Sequence, residues 1–185
     1  MQNIFEPIIE NGEKIVSVYK PDKARFWLGW IIKTFWGAVW VHLLVLLALI
    51  ALAVNPDKLG LAFVISFAAT AGIFVIIFTL SIVAGVFRYK YSFYGYSNKR
   101  VMIRAGIIGV DYKSLEFRSL NATIVWVGVL DKLMKPNTGD IKFGSPASPV
   151  IATGMHHSNQ FLFRHIKKPY DTMREIKEYM NTLDF

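Results

Sequence analysis

Residues 34–54 (TFWGAVWVHLLVLLALIALAV) and 59–87 (LGLAFVISFAATAGIFVIIFTLSIVAGVF) decide what the rest of the chain can be. The first run is 21 residues interrupted only by His42, and the second is 29 residues without a charge. A helix rises ~1.5 Å per residue, so ~20 apolar residues cross a ~30 Å hydrocarbon core. Both runs pass that test. They predict a transmembrane helical hairpin over 26–87, with helices over 26–54 and 59–87 joined at Asn55-Pro56-Asp57-Lys58.

The flanks set depth and direction. Trp27, Trp30, Trp36 and Trp40 cluster near the start of the first helix, and tryptophan favours the headgroup level. Lys33 lies among them and can snorkel to the phosphates. The interface is therefore expected near Lys33 to Trp36, with 26–32 projecting as a stem. Helix two would be ~43 Å long, so its last turns are expected to pair with that stem. The turn carries one lysine, Lys58. The N-terminal flank carries Lys14, Lys20, Lys23, Arg25 and Lys33, and the C-terminal flank Arg88, Lys90, Lys99, Arg100 and Arg104. The excess of cations on the flanks predicts that both termini are cytoplasmic. Lys23, Arg25, Lys33, Arg88 and Lys90 are the expected lipid-headgroup contacts, each gaining ~1 kcal/mol from an anionic leaflet.

Within the hairpin, His42 falls near the midplane and level with Thr70. The simple reading is a neutral imidazole hydrogen-bonded to Thr70, fixing register. A proton path is the alternative, but it needs more polar partners than Thr70 and Ser66. Ala68-x-x-x-Gly72 and Ser81-x-x-x-Gly85 place small residues one turn apart, which allows close helix approach.

Outside the hairpin the pattern has period two. Lys14 to Lys20 is β-branched and bounded by Gly12 and Pro21, a short strand in a polar segment, 1–25. Such a strand is not stable alone, so it is expected to pair with a sheet formed by 88–185. Tyr89–Ser97 and Arg100–Ala105 alternate around an Asn98-Lys99 turn. Gly106 and Gly109 bracket a second turn. Further strands are expected at Asp111–Phe117, Ala122–Val127, Asp140–Phe143, Val150–Ala152 and Phe161–Ile166. Gly128–Met134 reads as a helical turn. A final helix starts at Pro169, with Asp171 in its first turn. Met173, Ile176, Met180 and Leu183 form its apolar stripe. A strongly bent sheet leaves an open end that such a helix can close.

Of the formal net charge of +8, residues 88–185 carry +7, from fifteen Lys/Arg against eight Asp/Glu. Ninety-eight residues suffice for one small domain with its own core. There is no cysteine, which excludes disulfides, thiolate metal sites and a Cys nucleophile and fits a reducing cytosol. The first 25 residues lack the apolar h-region of a signal peptide.

Tyr96-Ser-Asn-Lys-Arg-Val-Met-Ile-Arg-Ala-Gly-Ile-Ile-Gly109 resembles the first hairpin of the bacterial pleckstrin-homology family, type two, which follows one or two membrane helices. Leu115–Leu133 resembles its middle segment, and Asn137–Phe143 its small turn and strand. Lys167-Lys-Pro-Tyr-Asp-Thr-Met-Arg-Glu-Ile176 resembles its strand-to-helix junction, and Gly12-Glu13-Lys14-Ile15 its opening. The resemblance implies an α+β protein of the bacterial cytoplasmic membrane. A two-helix transmembrane hairpin precedes a cytosolic pleckstrin-homology-like domain, a bent sandwich or partly open barrel capped by the C-terminal helix. In lipid-binding members of the wider class, basic residues in the loop between the first two strands grip a phosphoinositide. Lys99, Arg100 and Arg104 stand at the matching place, but their spacing departs from the lysine-or-arginine, any residue, arginine pattern. About nine residues at ~3.3 Å each also carry this tip ~30 Å from Phe87. The tip is therefore expected to meet a partner or a second subunit, or to be simply solvated, with lipid contacted by residues near Arg88 instead.

No phosphate loop, H-E-x-x-H, G-x-S-x-G or dinucleotide fingerprint is present. Gly106-Ile-Ile-Gly109 has the spacing of a KH-domain clamp, but its apolar centre between strands reads as a turn. His156, His157 and His165 have no Cys or carboxylate at ligand spacing and read as surface histidines. No metal and no cofactor are expected. The aromatic run Tyr89, Tyr91, Phe93, Tyr94, Tyr96 suits base stacking, yet a tethered strand with an aromatic core face explains it, so no nucleic acid is expected. These readings converge on a non-enzymatic binding or assembly module held at the membrane, its partners phospholipid and either another protein or further copies of itself. An anionic-headgroup sensor and an oligomeric pore or transport accessory are the alternatives.

Overall fold

The computed structural model describes residues 4–52, 59–133, 137–146 and 161–183. The expected turn at 55–58, the strand at 150–152, and His156 and His157 lie outside these residues. The chain divides into two compact units, one formed by 1–26 together with 87–185 and the other by 27–86. The boundaries fall inside two long helices, α1 (Lys23–Leu52) and α2 (Leu59–Tyr91).

Both helices contain a 25-residue stretch long and apolar enough to cross a membrane, Lys23–Leu47 and Phe67–Tyr91. Helix α1 starts at Lys23, three residues before the expected Phe26, because Asp22 caps it. The Asp22 carboxylate accepts the Arg25 N–H at 2.8 Å, and its carbonyl accepts the Phe26 N–H at 2.9 Å. Helix α2 runs four residues beyond the expected Phe87, to Tyr91, and so takes in Tyr89–Tyr91, the start of the strand expected at Tyr89–Ser97. Alternating aromatics fit either state. Arg88 and Lys90 complement the negative end of a helix, and the Ser92 hydroxyl donates to the Arg88 carbonyl at 2.6 Å.

Inside 27–86 the helices meet through small and polar residues. Trp30 Nε1 donates to the Ser81 carbonyl at 2.9 Å, and a 2.7 Å hydrogen bond joins Thr34 Oγ1 and Ser81 Oγ. A Cβ on Gly85 would lie 2.7 Å from Trp30 Nε1, so a side chain there would push the indole away. Ser81-x-x-x-Gly85 thus acts within the hairpin. Gly72 has open space instead. The described outward faces are largely apolar, with Leu44, Leu47, Val75, Ile76 and Leu80 all exposed.

Among the described residues, the other unit holds seven strands and two helices besides the ends of α1 and α2. β1 (Ile15–Tyr19), β2 (Phe93–Ser97), β3 (Arg100–Ala105) and β4 (Asp111–Glu116) form one antiparallel sheet in that order. β5 (Ala122–Trp126), β6 (Thr138–Gly144) and β7 (Phe161–Lys167) form the second. Helix α3 (Val129–Leu133) lies between β5 and β6, and α4 (Pro169–Asn181) follows β7. Period-two alternation directs Tyr94, Tyr96, Val101 and Ile103 from the first sheet, and Ile141, Phe143 and Phe163 from the second, into one core. The α4 stripe joins them there, with Ile176 buried and Met173, Met180 and Leu183 packed against the cluster. The chain is therefore α+β, with two apolar helices and two antiparallel sheets.

One sequence expectation changes at this level. β1 precedes the hairpin and pairs with β2 along Ser17–Tyr96, Val18–Gly95 and Tyr19–Tyr94. The hairpin is thus inserted between the first two strands of the sheet. The Asn98-Lys99 turn, read as the first-to-second strand loop, joins the second to the third.

Candidate functional site

The basic residues singled out from the sequence meet three different fates. Lys23, Lys33 and Lys90 are exposed, and Arg88 is half-buried. Arg25 is only 7% exposed and is taken up internally, so it leaves the set of headgroup contacts. Its Nε lies 2.6 Å and its second terminal nitrogen 3.2 Å from the two oxygens of Asp131. Asp131, fully buried, also accepts from the Thr138 hydroxyl at 2.7 Å and the Gly128 N–H at 3.1 Å. Burial alone would push the Asp131 carboxyl up. The hydrogen bonds from Arg25 and Thr138 outweigh it and hold the group below its ordinary value.

A second cluster lies beside this pair. The His165 backbone carbonyl accepts the Asp22 N–H at 2.7 Å, and the Asp140 carboxylate accepts the His165 N–H at 2.8 Å. His165 therefore does not belong to the surface, where sequence had put it. Its backbone takes a left-handed φ of 55°, and the ring meets Phe26 edge-on. Burial lowers the imidazole's proton affinity and raises that of Asp140, which favours a neutral ring. The two clusters fasten the first turn of α1 to β6 and β7. Sequence had no means of pairing Arg25 with Asp131, 106 positions away.

The tip at Lys99 and Arg100 is closed off by the chain's own N-terminal segment. Arg100 donates to both oxygens of Glu13, at 3.0 and 2.7 Å, and to the Ile8 carbonyl at 2.8 Å. Ser97 also donates to Glu13. Lys99 Nζ lies 3.1 Å from Glu10. Burial would raise the Glu13 carboxyl, yet the bonds from Arg100, the Glu10 N–H and Ser97 bring it down to about 2. Asn98 and Lys14 exchange two hydrogen bonds at 3.1 and 3.0 Å. Farther back, Phe5 is fully buried against Gly95, where a Cβ would lie 3.0 Å from its ring. Met102, the cross-strand partner of Gly95, is buried too. Carboxylates thus already occupy the place at Arg100 that an anionic ligand would take. The open cleft beside it, about 470 Å³, mixes Lys99, Arg100 and Arg118 with Glu10 and Glu116.

Arg104 is separate from that tip. It stands at the far end of β3, within 5.8–5.9 Å of the rings of Tyr91, Phe93 and Tyr112. Its Nε has no hydrogen-bond partner among the described residues.

His42 and Thr70 both border one small cavity between the helices, but the expected bond between them is not among those of the described residues. Thr70 donates to the Phe67 carbonyl of its own helix at 3.1 Å. The His42 ring instead packs edge-on against Phe67 at 5.8 Å, and its Nδ1 has no partner among the described residues. The cavity holds about 10 Å³, the lower limit for a single water.

Among the described residues, no group of three or more His, Asp or Glu is gathered to hold a metal. The geometry at each cluster is that of fastening: paired charges, satisfied carboxylates and stacked rings.

No protein-family model matches the chain, and no curated protein matches it at a significant level. Among solved structures it is similar to a DUF1696 family protein with a pleckstrin-homology domain from Shewanella loihica PV-4. The TM-score is 0.40 and the identity 8%, with 95% of this chain and 89% of that one covered. At that score the likeness carries no weight for fold or function.

Proposed function

We propose that the chain is a non-enzymatic binding or assembly module held at the cytoplasmic face of a bacterial membrane. The 27–86 unit is its anchor. The two sheets form the bent, partly open barrel closed by α4, and this unit presents the binding surface. The observation that carries the reading is the outward apolar face of two helices long enough to span a bilayer. A water-soluble hairpin would turn that face inward.

Two alternatives are weaker. A phosphoinositide-type headgroup sensor at Lys99 and Arg100 must first displace Glu13 and Glu10 from those cations. A pore or transport accessory must be built from several copies, because within one hairpin the described cavity beside His42 has room for about one water.

The full chain should resist extraction from membranes at alkaline pH. Purified in mild detergent, it should show a stoichiometric second protein or a second copy of itself in native mass spectrometry. Reconstituted vesicles should hold an ion gradient; vesicles that leak on incorporation would replace the module with a pore. Release at alkaline pH would remove the anchor.

A further inference from the structure

We propose that the loop between β3 and β4, residues 106–110, is a second membrane contact whose apolar tip enters the lipid interface. The proposal rests on the anchored reading above and names a contact that reading does not require.

Loops in water are commonly built from polar residues and glycine. Here the run from Gly106 is Gly-Ile-Ile-Gly-Val. Ile108 is 103% exposed, and Ile107 and Val110 stand partly out of the fold. The loop is shaped to keep them there. A Cβ on Gly106 would fall 1.7 Å from the Gly109 carbonyl oxygen, so only glycine permits a closure this tight. With the turn pinched behind them, the two isoleucines form its point.

The opposite end of the same sheet is the contrast. Its turn, at Asn98 and Lys99, is polar and tied down by Glu10 and Lys14. The apolar loop belongs to the end where β2 begins. Phe93 opens β2 and pairs with Arg104, which pairs with Tyr112, and the loop leaves β3 one residue after Arg104. Only Ser92 separates Phe93 from the last residue of α2. Chain connectivity therefore puts the loop at the end of the sheet that receives the candidate membrane helix.

The surroundings suit an anionic leaflet. Arg104 stands among Tyr91, Phe93 and Tyr112. Lys20 Nζ lies 4.5 Å from the centre of the Tyr89 ring and 4.8 Å from that of Phe93. Lys90 is exposed beside Tyr91. Tyrosine favours the headgroup level, and basic residues gain from anionic lipid. Exposed aliphatic groups add binding by entering the acyl boundary. The same cations argue against a second copy as the occupant. A two-fold interface through this patch would set Arg104, Lys20 and Lys90 against their own duplicates.

The chain lacks cysteine, so a single thiol can be labelled uniquely. Ile108→Cys would carry an environment-sensitive fluorophore in the full chain, in nanodiscs of phosphatidylcholine and phosphatidylglycerol, with and without brominated acyl chains. Ile108 is fully exposed, so the label displaces no core. Ile76→Cys serves as the bilayer reference and Glu178→Cys, on the exposed side of α4, as the water reference. The expected result is bromolipid quenching at position 108 at a depth of ~5–10 Å, shallower than at 76. Quenching at 76 with position 108 as open to aqueous iodide as 178 would overturn the loop contact and leave the anchor standing. Protection of 108 from iodide without bromolipid quenching would assign the loop to a protein surface and also overturn it. Absence of quenching at both 76 and 108 would overturn the anchor and the loop together.

Discussion

The 27–86 unit and the sheet unit solve opposite problems with the same residue types. In the sheet unit Ile141 and Phe163 are sealed from solvent, while the outward positions of β4 and α4 carry Lys113, Glu116, Arg174 and Glu178. In the hairpin the arrangement is inverted. Leu44, Val75 and Leu80 face out, and the polar groups of Thr34, Ser81 and Thr70 lie toward the partner helix or their own backbone. An inverted distribution suits an apolar solvent, as the proposed anchor requires. The difference also predicts that a polar contact contributes far more in one unit than in the other.

The largest effect should come from the buried charge pair of the sheet unit. Asp131→Ala leaves the Arg25 guanidinium buried without its anion, a loss of ~3–5 kcal/mol. Thermal unfolding of the full chain in detergent, with hydrogen exchange in β6, measures it. Replacing both partners by apolar residues (Arg25→Met with Asp131→Leu) should recover much of the loss. A double variant as unstable as the single one would assign a different role to the pair.

The next tests the inversion itself. Leu44 is 64% exposed and Val129 of the sheet unit 77%. Leu44→Lys should cost ~2.5–3.5 kcal/mol of membrane insertion if that face meets lipid. Val129→Lys should stay within ~0.5 kcal/mol, as for an ordinary water-facing site. Equal, small effects at both positions would show that the hairpin is wetted.

A smaller effect depends on pH. Glu13 has a lowered proton affinity when folded, about 2 against 4.5 unfolded. Its contribution is therefore complete above ~4.5 and is lost as pH falls from there toward 2. Hydrogen-exchange protection of the Ile8 and Ile9 amides, corrected for intrinsic rate, should decline through that window. Glu13→Gln should cost ~2 kcal/mol at neutral pH and flatten the decline.

The smallest is expected inside the hairpin. Ser81→Ala removes the hydroxyl bond to Thr34 but keeps the carbonyl that accepts from Trp30. Polar contacts between membrane helices average ~0.6 kcal/mol, so thermal stability in nanodiscs should fall by that little. A loss as large as that of Asp131→Ala would erase the contrast between the units.

Sequence by itself determined what repeats along the chain at short range. Two long apolar runs specify two long apolar helices, because backbone hydrogen bonds in a helix close within four residues. Alternation at Val101, Ile103 and Ala105 specifies a strand and its inner face. The 3-4-3 spacing of Met173, Ile176, Met180 and Leu183 specifies the buried stripe of α4. The Ser81-x-x-x-Gly85 pair was legible as a close-packing motif for the same reason.

Only the tertiary structure decided which distant groups meet. Lys99 and Arg100 read as a free basic tip because nothing within a few residues neutralises them. Their carboxylates come from Glu10 and Glu13, across the whole inserted hairpin. Arg25 read as a headgroup contact because its neighbours are cations and tryptophans, while its partner Asp131 is 106 positions away. β1 read as a strand, but its place as the first strand of the sheet depended on register with β2. Phe5 read as part of a polar terminus, and the absence of a side chain on Gly95 gave its ring a seat. Periodicity records which face of an element is buried, whereas ion pairs and ring seats need two surfaces brought together, and that geometry exists only after the chain has folded.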